Sequence, residues 1–548
     1  MTNRECASYI ALIRNCAKNK DLSRGSHIHN NVQRLGLLGR CSDALIAMYA
    51  KCGALAKAKE LLDFHKSRNV FAWTALIAAY ADYGLGHDAL HYYDEMQREG
   101  LSPRSVTFTC SLKACASVHA LERGEEIHER ITKERLLETD IVLGSALVNM
   151  YARCGALIKA RQVLEVLPAR NPISWNTLIS GYIENGEYRL ALECLEGMKK
   201  DGLSPNAVTF INLLKACAKV GDLDKGSILH NEISKSNLLK DGIALGNALV
   251  DMYVKCGALA KAKEVLKGLP KRNVISWSAL IAGYAQQGEG EQALNCYEQM
   301  QSEGISPNRV TYLCILKACG CVGATYKGRD VHDEVSKQGL IKDDIVLGTA
   351  IVDMYAKCGA LQKAEQVLKE LPTRDVISWN ALMTGYVQRG NAGQALRSFG
   401  LMQQDGIRPD STTFLNVLTA CSHLGLVDQA HMYIMDMDTK YGLKPNFEHF
   451  TCIVDLFGRV GKLEKAKEVL KKVTVPKVGL WLALLSACLK WGDVNIGRWA
   501  FEHAVHADKT DAGVYVLMAK IYYAAGMQEE VEAIEALQLE NKSLIDLT

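Results

Sequence analysis

The chain has 548 residues, 48% of them apolar, and this length is too great for one hydrophobic core. Its 64 lysines and arginines nearly balance 61 aspartates and glutamates, which gives a formal net charge of +3. This balance argues against a protein held on nucleic acid mainly by phosphate neutralisation, although it does not exclude one that reads unstacked bases. No apolar run approaches the roughly 18 residues of a membrane-spanning helix.

The first residues, MTNRECASYIALIRNCAKN, already resemble an internal segment, TFTCSLKACASV at 107–118. They lack an Arg/Ser-rich leader, so no transit peptide is expected within this chain. The likeness of the two segments instead points to an internal repeat that begins close to residue 1.

A period of 102 residues runs through the sequence. It sets the spacing of Trp73, Trp175, Trp277, Trp379 and Trp481, of Cys52, Cys154, Cys256 and Cys358, of Cys115, Cys217, Cys319 and Cys421, and of Pro103, Pro205, Pro307 and Pro409. One block divides into units of 35, 36 and 31 residues that begin at Pro172, Ala207 and Ile243. Periods of this size are typical of solenoids built from stacked helical hairpins.

Local patterns predict two antiparallel helices in each unit. Apolar residues follow helical spacing in two successive runs, Leu178, Ile179, Tyr182 and Ile183, then Ala191, Leu192, Leu195 and Met198. Asn185-Gly186 separates the runs as a turn, and the ten prolines are expected in or near loops. No strand pattern of comparable strength is present, so the fold class is all-α. Stacking would bury the apolar stripe of each hairpin and leave a concave surface lined by first helices.

The cysteine content favours a reduced protein. At least eight of the 18 cysteines recur at repeat-equivalent positions, which stack along the array instead of pairing. We therefore expect free thiols that act as small core residues.

Several segments carry a specific family resemblance. They include LVDMYVKCGALAKAKEVL, TFLNVLTACSHLGLVDQA and EHFTCIVDLFGRVGKLEKA. These units resemble pentatricopeptide repeats (PPR) of the plant subclass that alternates P, L and S motifs. The resemblance implies a right-handed α-solenoid of about 14 repeats over residues 1–477. Residues 478–548 resemble the tetratricopeptide-like E motifs that follow such arrays. A DYW deaminase domain, with which the family often continues, has no counterpart in the final residues EALQLENKSLIDLT.

Enzymatic motifs are weak in this chain. A zinc deaminase needs His-x-Glu and Cys-x-x-Cys, and His230-Asn-Glu232 and His332-Asp-Glu334 match only the first half. Because His128, His230 and His332 follow the 102-residue period, we interpret them as repeat consensus. Cys319-Gly-Cys321 has the wrong spacing for a usual zinc pair. We expect no catalytic residue, no metal and no cofactor.

The resemblance implies that each unit reads one RNA base with its fifth and its last residue. In P-type units these polar pairs are Thr74/Arg104, Asn176/Asn206, Ser278/Asn308 and Asn380/Asp410. In S-type units they are Asp43/Asn69, Ser145/Asn171, Asn247/Asn273, Thr349/Asp375 and Thr451/Lys477. L-type units carry a mostly apolar fifth residue: Ile10, Thr109, Ile211, Leu313 and Leu415.

The family's recognition pattern, carried over pair by pair, implies an RNA target. Ser145/Asn171 and Ser278/Asn308 correspond to A, Asn176/Asn206 and Asn247/Asn273 to a pyrimidine, Thr349/Asp375 to G and Asn380/Asp410 to U. The expected core is A-Y-n-Y-A-n-G-U, where n marks an L-type unit. Asp43/Asn69, Thr74/Arg104 and Thr451/Lys477 depart from the usual pairs, so they imply no base.

Two structural alternatives accompany this interpretation. Asn or Ser early in a helix can simply cap it. The periodic tryptophans could stack on bases, but a constant neighbour of a variable residue is more consistent with packing between repeats.

The resemblance therefore implies a sequence-specific, single-stranded RNA-binding protein of the mitochondrion or chloroplast. Site recognition for C-to-U editing is the expected role, with a deaminase or an editing accessory protein recruited in trans through residues 478–534. RNA splicing or stabilisation is an alternative within RNA binding. A protein–protein scaffold is an alternative outside it, consistent with the nearly neutral charge.

Overall fold

A computed structural model describes residues 3–65, 67, 69–138, 140–240, 242–342, 344–473 and 477–545. Throughout this part of the chain the regular secondary structure consists of 32 α-helices and one 3-10 turn, Leu136–Glu138. The all-α prediction is confirmed. The chain folds as two compact units, residues 1–276 and residues 277–548.

The helices alternate between the first (odd-numbered) and the second (even-numbered) member of a hairpin. The first sixteen are α1 (Asn3–Asn19), α2 (Leu22–Arg34), α3 (Leu38–Lys51), α4 (Leu55–His65), α5 (Val70–Asp82), α6 (Gly86–Arg98), α7 (Ser105–Ser117), α8 (Leu121–Lys133), α9 (Ile141–Arg153), α10 (Leu157–Val166), α11 (Pro172–Glu184), α12 (Tyr188–Lys200), α13 (Ala207–Val220), α14 (Leu223–Lys235), α15 (Ile243–Lys255) and α16 (Leu259–Gly268).

The series continues with α17 (Val274–Gln286), α18 (Gly290–Ser302), α19 (Arg309–Val322), α20 (Thr325–Lys337), α21 (Ile345–Lys357), α22 (Leu361–Glu370), α23 (Val376–Gln388), α24 (Ala392–Gln404), α25 (Ser411–Leu424), α26 (Val427–Thr439), α27 (Phe447–Val460), α28 (Leu463–Lys472), α29 (Val478–Trp491), α30 (Val494–Ala507), α31 (Ala512–Ala524) and α32 (Gln528–Ile545). The number of hairpins agrees with the expected 14 repeats and two tail motifs.

Turns that contain proline or glycine separate the helices, as the sequence predicts. Pro172 occupies the first position of α11, where its missing N–H is harmless. Eight prolines lie outside the helices: Pro103, Pro168, Pro205, Pro270, Pro307, Pro372, Pro409 and Pro445. Pro476 is outside the described residues. Glycines with positive φ turn the chain between helices, as Gly155 does at φ 77° between α9 and α10.

Stacked first helices form the core layer of each unit. In residues 1–276 each first helix from α1 to α13 packs on the first helix of the next hairpin, and in residues 277–548 the same holds from α19 to α29. Small residues allow this approach: a Cβ on Gly181 of α11 would lie 2.4 Å from Ala152 Cβ of α9. Because neighbouring hairpins pack together within each unit, stability is shared along that unit.

The periodic tryptophans are core residues, each between 2 and 9% exposed. This burial confirms packing over base stacking, and part of the packing of Trp175 lies within its own hairpin. Its indole contacts the second helix of its own hairpin, where a Cβ on Gly197 would lie 2.5 Å from Trp175 Cη2. Its Nε1 donates to Asp201 at 2.9 Å.

The cysteines are free, as expected. Cys115, Cys217, Cys319 and Cys421 are buried in the stack. Burial raises the pKa of the first three thiols to about 12 and that of Cys421 to about 11. A thiol with a pKa in this range stays protonated at neutral pH and behaves as a small apolar side chain.

The histidines of the partial deaminase motifs serve packing. His128, His230 and His332 pair through Nδ1 with the hydroxyls of Tyr151, Tyr253 and Tyr355 at 2.9, 3.0 and 3.1 Å. Each pair joins the second helix of an L-type unit to the first helix of the following S-type unit. Desolvation by burial lowers the pKa of all three imidazoles.

These histidines should make the fold sensitive to acid. Since their pKa in the folded protein lies below the ordinary value of 6.5, the unfolded chain binds protons first as the pH falls. Their contribution to stability is therefore complete above pH 6.5 and is lost as the pH drops through the lowered pKa. We expect the melting temperature to fall between pH 7.5 and 5.5, measured by circular dichroism. The triple variant His128→Gln, His230→Gln, His332→Gln should have a flatter pH profile, whereas the exposed His506→Gln should not; equal profiles for both would contradict this assignment.

Candidate nucleic-acid interface

The fifth residues of the units lie in the first turns of the first helices, and the last residues lie just before the next first helix. The structure therefore brings the two members of several polar pairs into direct contact. Asn69 Nδ2 donates to Asp43 Oδ2 at 2.7 Å, Asn176 Nδ2 to Asn206 Oδ1 at 3.2 Å and Asn380 Nδ2 to Asp410 Oδ1 at 2.9 Å. Two hydroxyls make longer contacts, Ser278 Oγ to Asn308 Oδ1 and Thr349 Oγ1 to Asp375 Oδ1, both at 3.5 Å.

Other pairs do not join in this way. Ser145 Oγ donates to the Ile141 carbonyl at 3.1 Å, and Thr451 Oγ1 donates to the Phe447 carbonyl at 2.9 Å. Within the described residues no hydrogen bond links Ser145 to Asn171, Asn247 to Asn273, Thr74 to Arg104 or Thr451 to Lys477. Arg104 and Lys477 instead lie over aromatic rings, those of Phe71 and Phe447, at 4.7 and 5.3 Å from the ring centroids.

Capping and pairing occur together at the last residues. Asn206 Oδ1 accepts from the Thr209 N–H at 3.0 Å, and Asp410 Oδ1 accepts from the Thr413 N–H at 2.8 Å, so both residues cap the following helix. Asn69, Asn171, Asn273, Asn308 and Asp375 cap in the same way. In the described part of the chain, no hydrogen bond uses Asn206 Nδ2 or Asp410 Oδ2. The cap thus engages one polar atom and leaves the second available.

The fifth residues are more buried than the sequence suggested. Asn176, Ser278 and Asn380 are 9, 5 and 7% exposed, whereas Asn206 is exposed and Asp410 half-buried. Their side chains are largely covered instead of projecting from the surface. The reason is that the next first helix, α13 in the case of Asn176, packs against the same turn.

A surface cavity marks the position of one pair. Its volume is about 430 Å³, and Asn176 and Asn206 line it together with Ile173, Val208 and Arg153. A second cavity, of about 660 Å³, lies at Asp43, Asn69, Phe71 and Arg104. Both polar and apolar side chains line each cavity, as is usual for sites that bind small organic groups.

Exposed apolar residues at the second position of the units were not identified from the sequence. They are between 50 and 67% exposed: Phe71, Val106, Val142, Ile173, Val208, Ile275, Val310, Val346 and Ile377. Exposed apolar side chains that recur at the starts of first helices are unusual for a surface that contacts only solvent. The 102-residue spacing of Val106, Val208 and Val310 could have revealed them.

Exposed cations also recur at the 102-residue spacing, in the last turn of S-type first helices. They are Lys51, Arg153, Lys255, Lys357 and Arg459. Three of them pair with an aspartate one turn earlier at 2.7 Å: Lys255 with Asp251, Lys357 with Asp353 and Arg459 with Asp455. Exposed pairs of this kind contribute little to stability, so these cations can be released to a phosphate.

Nothing in the described residues groups three or more His, Cys, Asp or Glu side chains as a metal site. In the same part of the chain, the helices lack the combination of length and apolarity that crossing a bilayer requires. The polar pairs offer hydrogen-bond donors and acceptors.

Comparison with known proteins identifies the family. A family model described as PPR repeat family matches residues 68–117, 170–238, 272–321 and 374–423, and one described as PPR repeat matches residues 247–274, 349–376 and 448–474. Two Arabidopsis thaliana relatives are pentatricopeptide repeat-containing protein At1g15510, chloroplastic, 33% identical over 98% of this chain, and At5g27110, 32% identical over 95%. The chain spans 62% of the first relative and 75% of the second.

Solved structures share the fold. The crystal structure of the pentatricopeptide repeat protein PPR10 from maize aligns with a TM-score of 0.61 at 17% identity, covering 98% of this chain and 90% of that one. PPR10 in complex with an 18-nt psaJ RNA element gives the same TM-score at 18% identity, with coverage of 98% and 85%. This chain belongs to the pentatricopeptide repeat family.

Proposed function

We propose that this protein binds single-stranded RNA in a sequence-specific manner within an organelle and selects cytidines for C-to-U editing. The observation that carries the proposal is the cavity in which Asn176 and Asn206 lie between Ile173 and Val208. Structural likeness to PPR10, which has been crystallised with RNA, supports the ligand class. The chloroplastic designation of one relative supports an organellar location.

The cavity at Asn176 fits one unstacked base. Ile173 and Val208 belong to consecutive first helices, α11 and α13, and flank the polar pair. Their side chains offer apolar contact to the faces of a base while the pair meets its edge. Single-stranded RNA is recognised in this manner, through contacts to both the faces and the Watson–Crick edges of splayed bases.

The two atoms left available by capping give different preferences. Asp410 Oδ2 can only accept a hydrogen bond, which suits the N3–H of uracil, whereas Asn206 Nδ2 can only donate, which suits the N3 of cytosine. Asn380 and Asn176 occupy equivalent positions and both direct Nδ2 to the last residue. The last residue therefore determines which pyrimidine each of these two units prefers. We propose U for Asn380/Asp410 and C for Asn176/Asn206.

The recurrent cations complete the interface without a large net charge. Arg153 lines the same cavity as Asn176 and Asn206, so a phosphate next to the bound base can reach it. With a formal net charge of only +3, we expect weak non-specific binding and a modest dependence on salt. Base contacts would then supply most of the affinity.

Editing is proposed from the P-L-S order and from residues 478–534. These residues lie in the hairpins α29–α30 and α31–α32. Their resemblance to tetratricopeptide-like hairpins, which contact protein partners, supports this role. A deaminase would bind there as a separate protein. RNA splicing or stabilisation remains the alternative, since both use the same recognition.

Selection from a random single-stranded RNA pool tests the binding proposal. We expect enrichment of A-Y-n-Y-A-n-G-U, and weaker binding of DNA with the same sequence if 2′-hydroxyls contribute. Absence of a sequence preference would favour the scaffold alternative. An enriched sequence unrelated to this core would overturn the assignment of the polar pairs.

The editing proposal needs its own assay. A target RNA with a cytidine downstream of the recognised core is incubated with the purified chain and zinc, with and without organelle extract. We expect conversion to uridine only with extract. Conversion by the chain alone would contradict recruitment in trans, and stabilised but unedited RNA with extract would favour the alternative.

A further inference from the structure

A threonine recurs at the third position of every L-type unit that follows a P-type unit. The four residues, Thr107, Thr209, Thr311 and Thr413, are spaced by 102 residues, and each is fully buried. Each lies one turn inside a first helix, beneath the polar pair of the preceding P-type unit. None belongs to the pairs that meet the base.

Each hydroxyl contacts the fifth residue of that preceding unit. Thr209 Oγ1 donates to Asn176 Oδ1 at 2.7 Å, and Thr413 Oγ1 donates to Asn380 Oδ1 at 2.8 Å. Hydroxyl–hydroxyl contacts join Thr311 to Ser278 at 2.6 Å and Thr107 to Thr74 at 2.7 Å. The side chains in contact are separated by 33 residues in each case.

The direction of the bond is fixed where the fifth residue is asparagine. An amide oxygen can only accept, so the threonine hydroxyl must donate. With Asn380 Oδ1 held by Thr413, Nδ2 is turned to Asp410 Oδ1 at 2.9 Å. One N–H is used by Asp410, and the second is left for a base. Rotating the amide would turn its oxygen toward Asp410 Oδ1, and two acceptors would then face each other without a proton between them.

The S-type units differ at the equivalent position. Ser174, Ser276 and Ser378 follow S-type units, and each serine hydroxyl donates to the carbonyl oxygen of its own cap, Asn171, Asn273 or Asp375, at 2.8 to 2.9 Å. Their hydroxyls therefore serve the backbone. Within the described residues no hydrogen bond joins these serines to Ser145, Asn247 or Thr349.

We infer that Thr107, Thr209, Thr311 and Thr413 are positioning residues that fix the hydrogen-bonding orientation of the P-type fifth residues and so determine base specificity. The inference rests on the proposed RNA-binding function. A β-branched threonine suits this role because its χ1 angle is restricted. P-type units should accordingly discriminate bases more strongly than S-type units, whose fifth residues have no such anchor.

The test uses the full chain and four RNA oligonucleotides that carry the core A-Y-n-Y-A-n-G-U with U, C, A or G at the position of Asn380/Asp410. Thr413→Val removes the hydroxyl at nearly constant volume, and we expect the preference for U to narrow by about fivefold, the equivalent of one net hydrogen bond. Thr413→Ser keeps the hydroxyl and should retain the preference. Ser378→Ala is the matched control: it removes a capping hydroxyl at the same helix position but should leave the preference for G at Thr349/Asp375 unchanged.

The outcomes distinguish failure of the proposed RNA-binding function from failure of the inference about the threonines. If the wild-type chain has no preference at this position, the proposed function fails and the inference with it. If the wild type prefers U and Thr413→Val keeps the full ratio, only the inference fails. A loss of preference at every position in Thr413→Val would assign Thr413 to folding. If Thr413→Val melts below the assay temperature, the same test is made with Thr209→Val. In that case the base preference is measured at the nucleotide of Asn176/Asn206.

Discussion

Replacing Asn380 with threonine should move the preference of one recognised nucleotide from U to G. In the wild type, Asn380 Nδ2 is bonded to Asp410, and the variant would recreate the combination found at Thr349/Asp375. In the proposed complexes the aspartate would accept from N1–H of guanine or from N3–H of uracil, and the shorter threonine would give a purine more room. A change of roughly 1–3 kcal/mol in the relative binding free energy of the two RNAs is expected.

The measurement is a competition between RNAs that differ only at this nucleotide. The reciprocal variant, Thr349→Asn, is the matched control, and it should move the preference at its own position from G to U. Equal loss of binding to all four bases in either variant would indicate a folding defect instead. A shift at a different nucleotide would show that the register between units and bases is wrong.

Most of the fold could be predicted from the sequence because local signals repeat. Asn185-Gly186 predicted the turn after α11 (Pro172–Glu184), and Gly186 has a positive φ there. Apolar residues at helical spacing gave α11 and α12, and the predicted number of hairpins follows from the unit lengths. In a repeat stack, few contacts join residues distant in the chain, so local patterns carry most of the information.

The candidate site was predicted less completely. The periodic pattern identified Asn176 and Asn206 but not the buried Thr209 hydroxyl between them, which bonds to Asn176 Oδ1 at 2.7 Å and to Asn206 Oδ1 at 3.1 Å. A residue that recurs in every repeat gives the same sequence pattern whether it packs in the core or orients a neighbouring side chain. Only the direction of its side chain distinguishes the two, and that direction depends on how the next hairpin packs.

The tryptophans are a second case in which the sequence predicted a role but not the contacts that fulfil it. Their spacing made them candidates for either packing or base stacking, and the packing interpretation was confirmed. The contact of Trp175 with the second helix of its own hairpin could not be read from the sequence, because the spacing alone does not set the direction of a side chain. The exposed residues at the second position, such as Ile173, could not be singled out from one unit, because single valines and isoleucines are ordinary in helices.

Removing two exposed apolar residues should weaken RNA binding without destabilising the protein. Ile173 and Val208 are 66 and 55% exposed and flank the cavity at Asn176/Asn206. In the double variant Ile173→Ser, Val208→Ser we expect about a tenfold loss of affinity, since each residue would bury roughly half of its apolar surface against a base. The melting temperature should stay within a few degrees because more than half of each residue is exposed to solvent.

The control for that variant is Ile158→Ser. Ile158 is 77% exposed and lies on the second helix α10 (Leu157–Val166), away from the cavity, so its replacement should leave RNA affinity unchanged. Apolar contact to base faces is sequence-tolerant, so the double variant should lose affinity equally for all four bases. The double variant is therefore expected to lower affinity without changing base preference. By contrast, Thr413→Val is expected to change the base preference at the nucleotide of Asn380/Asp410. Equal loss in Ile158→Ser, or full affinity in the double variant, would remove the exposed second-position residues from the RNA interface.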